Sequence, residues 1–275
     1  MFNKKAIIHY LEDCHLEDGG YFFAKITPSS GLDTCLAVKT LKMLGVKPAK
    51  IDSIVQFWQN QDTKGNLSDV TGLYFSVETI KALELPLDHF KKYKNFLESY
   101  ELKNKNKLAK ILIDIDIAPI YADLVDNEAQ TIFYLVSLLK DLHCRLDKNL
   151  IKTQLDFFQN NDGGFGRMKG SQLATTFYCL NMANLIGYKL KNKKQTEHYL
   201  FGQLGRINYL EEYYWAVESL TLLGKTIPNQ DKIITFLDAC KRDNGGFARS
   251  QFMGISTIEY TFQAVSLLKS LGQFN

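Results

Sequence analysis

The sequence predicts an all-α fold: one (α/α)6 toroid spanning residues 1–275, with six inner helices ringed by six outer helices. Three observations predict it. A loop made of an acidic residue or Asn, two glycines and an aromatic recurs as Glu17-Asp18-Gly19-Gly20-Tyr21, Asn161-Asp162-Gly163-Gly164-Phe165-Gly166 and Asp243-Asn244-Gly245-Gly246-Phe247, with a degenerate copy at residues 59–66. Six segments read as helices that are apolar all round, near 33–45, 71–85, 129–142, 174–187, 212–225 and 257–272. Amphipathic segments alternate with them near 3–14, 49–60, within 87–115, 147–160, 192–204 and 229–241, and all five prolines (28, 48, 86, 119, 228) fall between segments.

Each element has a local reason. The paired glycines sit where a helix must end and the chain reverse tightly, which calls for a left-handed backbone that glycine adopts cheaply. An amphipathic helix, such as 147–160 with Leu150, Ile151, Leu155 and Phe158 on one face, lies on the outside. A helix that is apolar all round must be covered on every side, so it belongs inside. Six such pairs can close into a ring, or stack as an open right-handed solenoid. No polar caps are evident at the two ends, which favours the ring. Residues 87–126 lack the glycine loop and read as an irregular insertion or a longer outer hairpin.

Composition narrows the classes. With 45% hydrophobic and 23% charged residues the chain is an ordinary globular protein rather than a disordered or disulfide-rich one. A formal charge of +3 argues against nucleic acid as the main partner. No apolar run approaches the ~18 residues of a membrane span. Five cysteines with no CxxC pair read as reduced, buried thiols and a cytoplasmic location. The lysine-rich tracts at 91–110 and 189–194 read as solvated outer faces.

The segment Phe157-Phe158-Gln159-Asn160-Asn161-Asp162-Gly163-Gly164-Phe165-Gly166, followed by an apolar helix closing on Leu185-Ile186-Gly187, resembles the prenyltransferase/squalene-cyclase repeat. That repeat occurs in protein prenyltransferase β-subunits and class II terpene cyclases. The resemblance is clearest at 157–187 and 236–272 and weakest at 87–126. It implies an (α/α)6 barrel whose central apolar cavity holds isoprenoid chains, without fixing one reaction.

Each functional position of that family has its counterpart here. The zinc positions of protein prenyltransferases fall near Gln172 and Ala174, or near Thr257, Glu259 and Tyr260, and neither set suits zinc. The Asp motif of class II cyclases finds only its tail, Ser30-Gly31-Leu32-Asp33-Thr34-Cys35, with Leu32 in the proton-donating place. Asp33 remains as a catalytic candidate, set against a role as a helix N-cap or first-turn residue. The basic pair that holds the prenyl diphosphate is matched by Arg167 and Lys169 after the second glycine loop, and Arg249 stands in the equivalent loop further on. The residues support this independently: inner-helix N-termini would converge on one rim and favour an anion there.

Asp114 and Asp116, two apart beside Pro119, are further catalytic candidates, as Mg2+ ligands or raised-pKa acids, against a reading as a solvated helix end. Tyr134, Phe177, Tyr178, Tyr214, Trp215 and Tyr260, with Phe262, are the aromatics placed to line a cavity or to pack as plain core. The resulting expectation is an isoprenoid or prenyl-diphosphate binder, with prenyl transfer or terpene cyclisation as its chemistry, no evident cofactor, and Mg2+ left open. Two alternatives stay open: a non-catalytic toroid binding a protein or lipid partner, and a carbohydrate-active toroid using acids among Asp33, Glu128, Glu212 and Glu259.

Overall fold

The repeated loops organise the structure, a computed structural model that describes residues 2–100, 122–166 and 170–274. In each loop the first glycine has a positive φ: Gly19 (+92°), Gly163 (+90°) and Gly245 (+90°). The aromatic after the pair is held by one threonine in the first turns of the following helix. The N–H of Tyr21 donates to Thr34 Oγ1 (2.9 Å), that of Phe165 to Thr176 Oγ1 (3.0 Å) and that of Phe247 to Thr261 Oγ1 (3.1 Å). Each threonine hydroxyl in turn donates to the carbonyl four residues back in its own helix, at 2.7 Å in all three copies. All three threonines are fully buried, so every one of these groups needs its partner.

The helices are α1 (Lys4–Asp13), α2 (Gly31–Met43), α3 (Ile51–Thr63), α4 (Val70–Ala82), a 3-10 turn (Asp88–Tyr93) continuing as α5 (94–100), α6 (Ala122–Asp141), α7 (Lys148–Phe158), α8 (Leu173–Ile186), α9 (Lys193–Gln203), α10 (Leu210–Leu222), α11 (Gln230–Cys240) and α12 (Ile258–Ser270). The six segments expected to be inner helices are α2, α4, α6, α8, α10 and α12. α6 begins at Ala122, a full two turns before the expected start. Ser30, Asp69 and Thr257 cap α2, α4 and α12 with side-chain oxygens, and the Glu212 carboxylate accepts from the N–H groups of Asn208 and Tyr209 to cap α10.

The chain forms two compact units, Met1–Leu85 with Phe201–Asn275, and Pro86–Leu200. In the first, α10 packs on α12, α12 on α2 and α2 on α4, while α1 and α11 cover α2 and α10 from one side. Burial follows the expected division: α2 buries seven residues, Asp33, Thr34, Cys35, Ala37, Val38, Thr40 and Leu41, whereas α1 buries only the stripe Ile7, Tyr10 and Leu11. In the second, α6 packs on α8 and α7 covers α8. Among the described residues no helix is long and apolar enough to cross a membrane. The five cysteines are free, and all but the half-buried Cys144 are buried.

Each first glycine docks on the outer helix of the next hairpin. A Cβ on Gly19 would lie 2.2 Å from the Ser53 carbonyl oxygen of α3, one on Gly163 2.2 Å from the Gln195 backbone of α9, and one on Gly245 2.2 Å from the Ala6 carbonyl oxygen of α1. The last contact joins the final hairpin to the first, as does the packing of α12 on α2. An open solenoid would hold those hairpins apart.

This geometry separates two costs of adding a methyl group. Gly272 also has a positive φ (+71°) but open space around it, so Gly272→Ala should cost about 1 kcal/mol, the backbone penalty alone. Gly245→Ala should cost at least about 3 kcal/mol, because a backbone atom must shift as well. Urea unfolding of both variants measures the difference, and equal losses would show that the close approach is no constraint.

Candidate functional site

The first turns of three neighbouring inner helices of the first unit each carry a carboxyl group: Asp33 of α2, Glu211 of α10 and Glu259 of α12. Asp33 is 5% exposed. Its Oδ2 accepts from the Phe23 N–H (3.2 Å), tying the loop before α2 to the helix. Burial pushes its carboxyl up to about 6, with the Phe23 hydrogen bond offsetting part of the rise. The cap itself is Ser30, whose hydroxyl accepts from the Asp33 N–H (3.2 Å). Of the two helix-end roles considered for Asp33, the cap belongs three residues earlier and Asp33 holds the first-turn place.

Glu259 keeps solvent-accessible surface, yet crowding by protein raises its carboxyl above the usual range, and the charges of Asp33 and Glu211 raise it further. Glu211 is 9% exposed and its Oε1 accepts from Arg249 Nε and Nη2, both at 2.6 Å. Its Oε2 is buried and has no hydrogen-bond partner among the described residues. The Arg249 guanidinium also lies 4.0 Å from the centre of the Tyr209 ring. Arg249, expected from sequence to meet a diphosphate, is thus engaged by a carboxylate and an aromatic face. Any anion there would compete with Glu211.

Further along the same helices the side chains alternate aromatic and charged groups. Tyr214 of α10 meets Phe262 of α12 edge-on at 5.8 Å, and Lys39 Nζ lies 6.0 Å from the Phe262 ring. Lys39 and Lys81 donate to the two oxygens of Glu78, at 2.7 and 2.6 Å. Burial alone would raise Glu78, but the two ammonium groups hold its carboxyl below the ordinary range. On α10, burial raises Glu218 despite a 2.8 Å hydrogen bond from Ser270. An entirely apolar lining does not describe these helices.

The second unit is different. Phe133 and Tyr134 of α6 and Phe177 and Tyr178 of α8 form a four-ring cluster, with centroids 5.7 Å apart for Phe133–Tyr178, 6.5 Å for Tyr134–Tyr178 and 5.2 Å for Phe177–Tyr178. Gln130 Nε2 donates to the Tyr134 hydroxyl at 2.6 Å. Three of the aromatics singled out from sequence, Tyr134, Phe177 and Tyr178, are therefore brought together. The other three, Tyr214, Trp215 and Tyr260, belong to the first unit and are half-buried. Arg167, Lys169, Asp114 and Asp116 lie outside the described residues. Of the acids weighed for sugar chemistry, Glu212 serves as a helix cap, Glu128 lies on α6 at a position whose side chain is outside the described residues, and the charge of Asp33 raises the Glu259 carboxyl.

Sequence reasoning missed Glu211 as the partner of Arg249, because 38 residues separate them. It also missed Lys39 and Glu78. Their signal is present: each is a charge in the middle of a helix that is otherwise apolar all round. Among the described residues no group of three or more His, Cys, Asp or Glu is arranged to hold a metal ion.

The raised Asp33 carboxyl fixes a sign. In the unfolded chain an Asp titrates near ~3.9, below the folded value of about 6. Asp33 thus supports folding below pH ~4 and loses that support as pH rises through 6. Asp33→Asn should be neutral near pH 4 and stabilising by up to about 3 kcal/mol at pH 7.5, with Asn still accepting from Phe23. Melting temperatures across that range test it, and a variant less stable at pH 7.5 would contradict the burial argument.

Comparison with known proteins agrees with this architecture. The family model described as the prenyltransferase alpha-alpha toroid domain matches residues 2–101, 54–200 and 206–275. Among solved structures, Candida albicans protein geranylgeranyltransferase-I complexed with GGPP superposes with a TM-score of 0.72 at 12% identity, covering 98% of this chain and 91% of that one. No curated protein matches by sequence. The fold is an all-helical alpha-alpha toroid, and the chain belongs to the prenyltransferase alpha-alpha toroid family.

Proposed function

We propose that the protein binds a prenyl diphosphate, with the isoprenoid tail on the aromatic faces of α6 and α8 and the diphosphate on Arg167 and Lys169. The observation that carries this reading is the cluster of Phe133, Tyr134, Phe177 and Tyr178 on two adjacent inner helices of a prenyltransferase-family toroid. Rings of this kind offer a branched alkene both dispersion contact and π faces that favour a developing allylic cation. The two basic residues stand in the stretch between the glycine loop ending at Gly166 and the start of α8 at Leu173. A guanidinium and an ammonium two residues apart suit a diphosphate. The neighbour of known structure was solved with GGPP, a ligand of this class. Departure of the diphosphate, leading to prenyl transfer or cyclisation, is the chemistry that such a pocket serves. Mg2+ would assist by neutralising the leaving group.

The test is the melting temperature with geranyl, farnesyl and geranylgeranyl diphosphate, each with and without Mg2+, against pyrophosphate alone. A ligand at ~100 times its dissociation constant adds about 2.7 kcal/mol of stability. The expected result is a rise that needs both tail and diphosphate, reduced by Tyr178→Ala. Arg167→Ala should weaken binding by at least ~1.5 kcal/mol. No rise with any of these ligands would overturn the reading and leave a toroid that binds a protein or lipid partner.

A further inference from the structure

In the first unit α10, α12, α2 and α4 pack side by side in that order. They run the same way, because their C-terminal halves meet. Ser266 of α12 reaches Met43 of α2 (Oγ to Sδ, 3.5 Å), Ser270 of α12 reaches Glu218 of α10 (2.8 Å), and Lys39 of α2 reaches Glu78 of α4 (2.7 Å). Helices flanked in this way are buried at most positions, yet each keeps some that are only half-buried: Leu36 and Lys39 on α2, Phe75 and Glu78 on α4, Tyr214 on α10 and Phe262 on α12. Residues three apart share a helix face. Contacts between these positions show that the four open faces turn to one side: Lys39 Nζ touches Glu78 and lies 6.0 Å from the centre of the Phe262 ring, and that ring meets Tyr214 at 5.8 Å.

That side carries an unbalanced charge. Lys39 of α2 and Lys81 of α4 each donate to one oxygen of Glu78, so two ammonium groups are answered by a single carboxylate. Lys39 and Lys81 are likewise the charges that Glu78 feels. Burial pushes the neighbouring Cys35 thiol up to about 11, so it stays neutral and adds no negative charge. An ammonium has three N–H donors. Lys39 gives one to Glu78, and the described residues supply it no second acceptor. Its side chain is 30% exposed against 14% for Glu78, so a solute meets the lysine before the carboxylate. Excess charge of one sign among apolar helices is costly until an opposite charge joins it.

From this arrangement we propose that the shared open side of α10, α12, α2 and α4 binds a small monocarboxylate with an apolar body, its carboxylate on Lys39 and its body along Phe262 and Tyr214. The charge count selects the head group. Two ammonium groups and one carboxylate leave a single positive charge, which a monoanion cancels. A phosphate ester or diphosphate brings more negative charge than that, and the surplus faces Glu78. An amine meets two lysines of its own sign, and an alcohol leaves the charge uncancelled. A carboxylate takes a charge-assisted hydrogen bond from the spare N–H groups of Lys39. The Phe262 and Tyr214 rings, edge to face, offer flat apolar contact one helix away from that ammonium. This site does not depend on the prenyl-diphosphate reading, whose residues lie in the other unit.

The experiment is calorimetric titration of the full chain at pH 7.5 with four probes that share one tail, hexanoate, hexyl phosphate, hexanol and hexylamine, and with acetate, which has the head group alone. Hexanoate should bind about tenfold more tightly than hexanol, hexylamine or acetate, and more tightly than hexyl phosphate. Two variants separate a binding role from a structural one. Lys39→Met removes the ammonium and keeps the chain length, and should weaken hexanoate about tenfold. Glu78→Gln removes the competing carboxylate and should strengthen hexanoate by about threefold or more. Groups that served only to hold α2 on α4 would give weaker binding in both. Melting temperatures check that the variants fold, and where Lys39→Met does not, Glu78→Gln decides: unchanged or weaker hexanoate binding there contradicts the charge count. Equal or tighter binding of hexyl phosphate would overturn the monocarboxylate in favour of a phosphorylated ligand. Acetate binding as tightly as hexanoate would remove the part given to Phe262 and Tyr214. No hexanoate heat at millimolar concentration would overturn the site altogether.

Discussion

The constraint on which the molecule depends is the backbone-to-backbone approach of each glycine loop to the next outer helix. Gly19, Gly163 and Gly245 have no Cβ because a carbonyl or amide of the following hairpin occupies that space. Behind each one, a buried threonine fixes the aromatic of the loop to the first turns of the inner helix. One short loop thus sets three relations at once: where an outer helix ends, where an inner helix begins, and how closely the next hairpin sits. The N-termini of α2, α8 and α12 are held by this repeated hardware, and Glu259 at the start of α12 feels the charges of Asp33 and Glu211.

The same rim shows how a fold can keep an architecture and change its chemistry. Helix N-termini favour anions, and in this unit the protein fills that place with its own carboxylates. Asp33 sits in the first turn of α2 and Glu211 and Glu259 in those of α10 and α12, so part of the cost of burying them is met by the helices that carry them. What remains is visible in the upward shifts of Asp33 and Glu259. The pairing of Arg249 with Glu211 neutralises one of the three. The aromatic cluster of the other unit, by contrast, is uncharged and suited to hydrocarbon.

The architecture was legible in the sequence because its determinants are local and repeated. Glycine pairs, two-sided apolar helices and proline placement each act within a few residues, and the resulting inner helices appear where these signals put them. The site was less legible because its determinants are not local. The bond between Glu211 and Arg249 spans 38 residues, and nothing in the Tyr209–Trp215 stretch marks Glu211 as different from Glu212, which caps its helix instead. Asp33 holds the first-turn place that the sequence offers as one of two readings, but its burial against the Phe23 backbone is set by residues distant in sequence. Of the aromatics, those spaced alike on neighbouring inner helices could be grouped by eye. Which of them share a unit could not.

Contact between Gly245 and Ala6 also changes how the protein should lose its structure. A linear array of repeats frays from its ends, since each terminal unit has one neighbour, and its stability grows with each copy added. Here the first and last hairpins are neighbours, so neither is a terminus in the energetic sense, and each serves as the other's cap. The chain has to bring together segments more than two hundred residues apart before that seam forms, a slow, long-range step. Once it is closed, opening the first or the last hairpin exposes two interfaces instead of one.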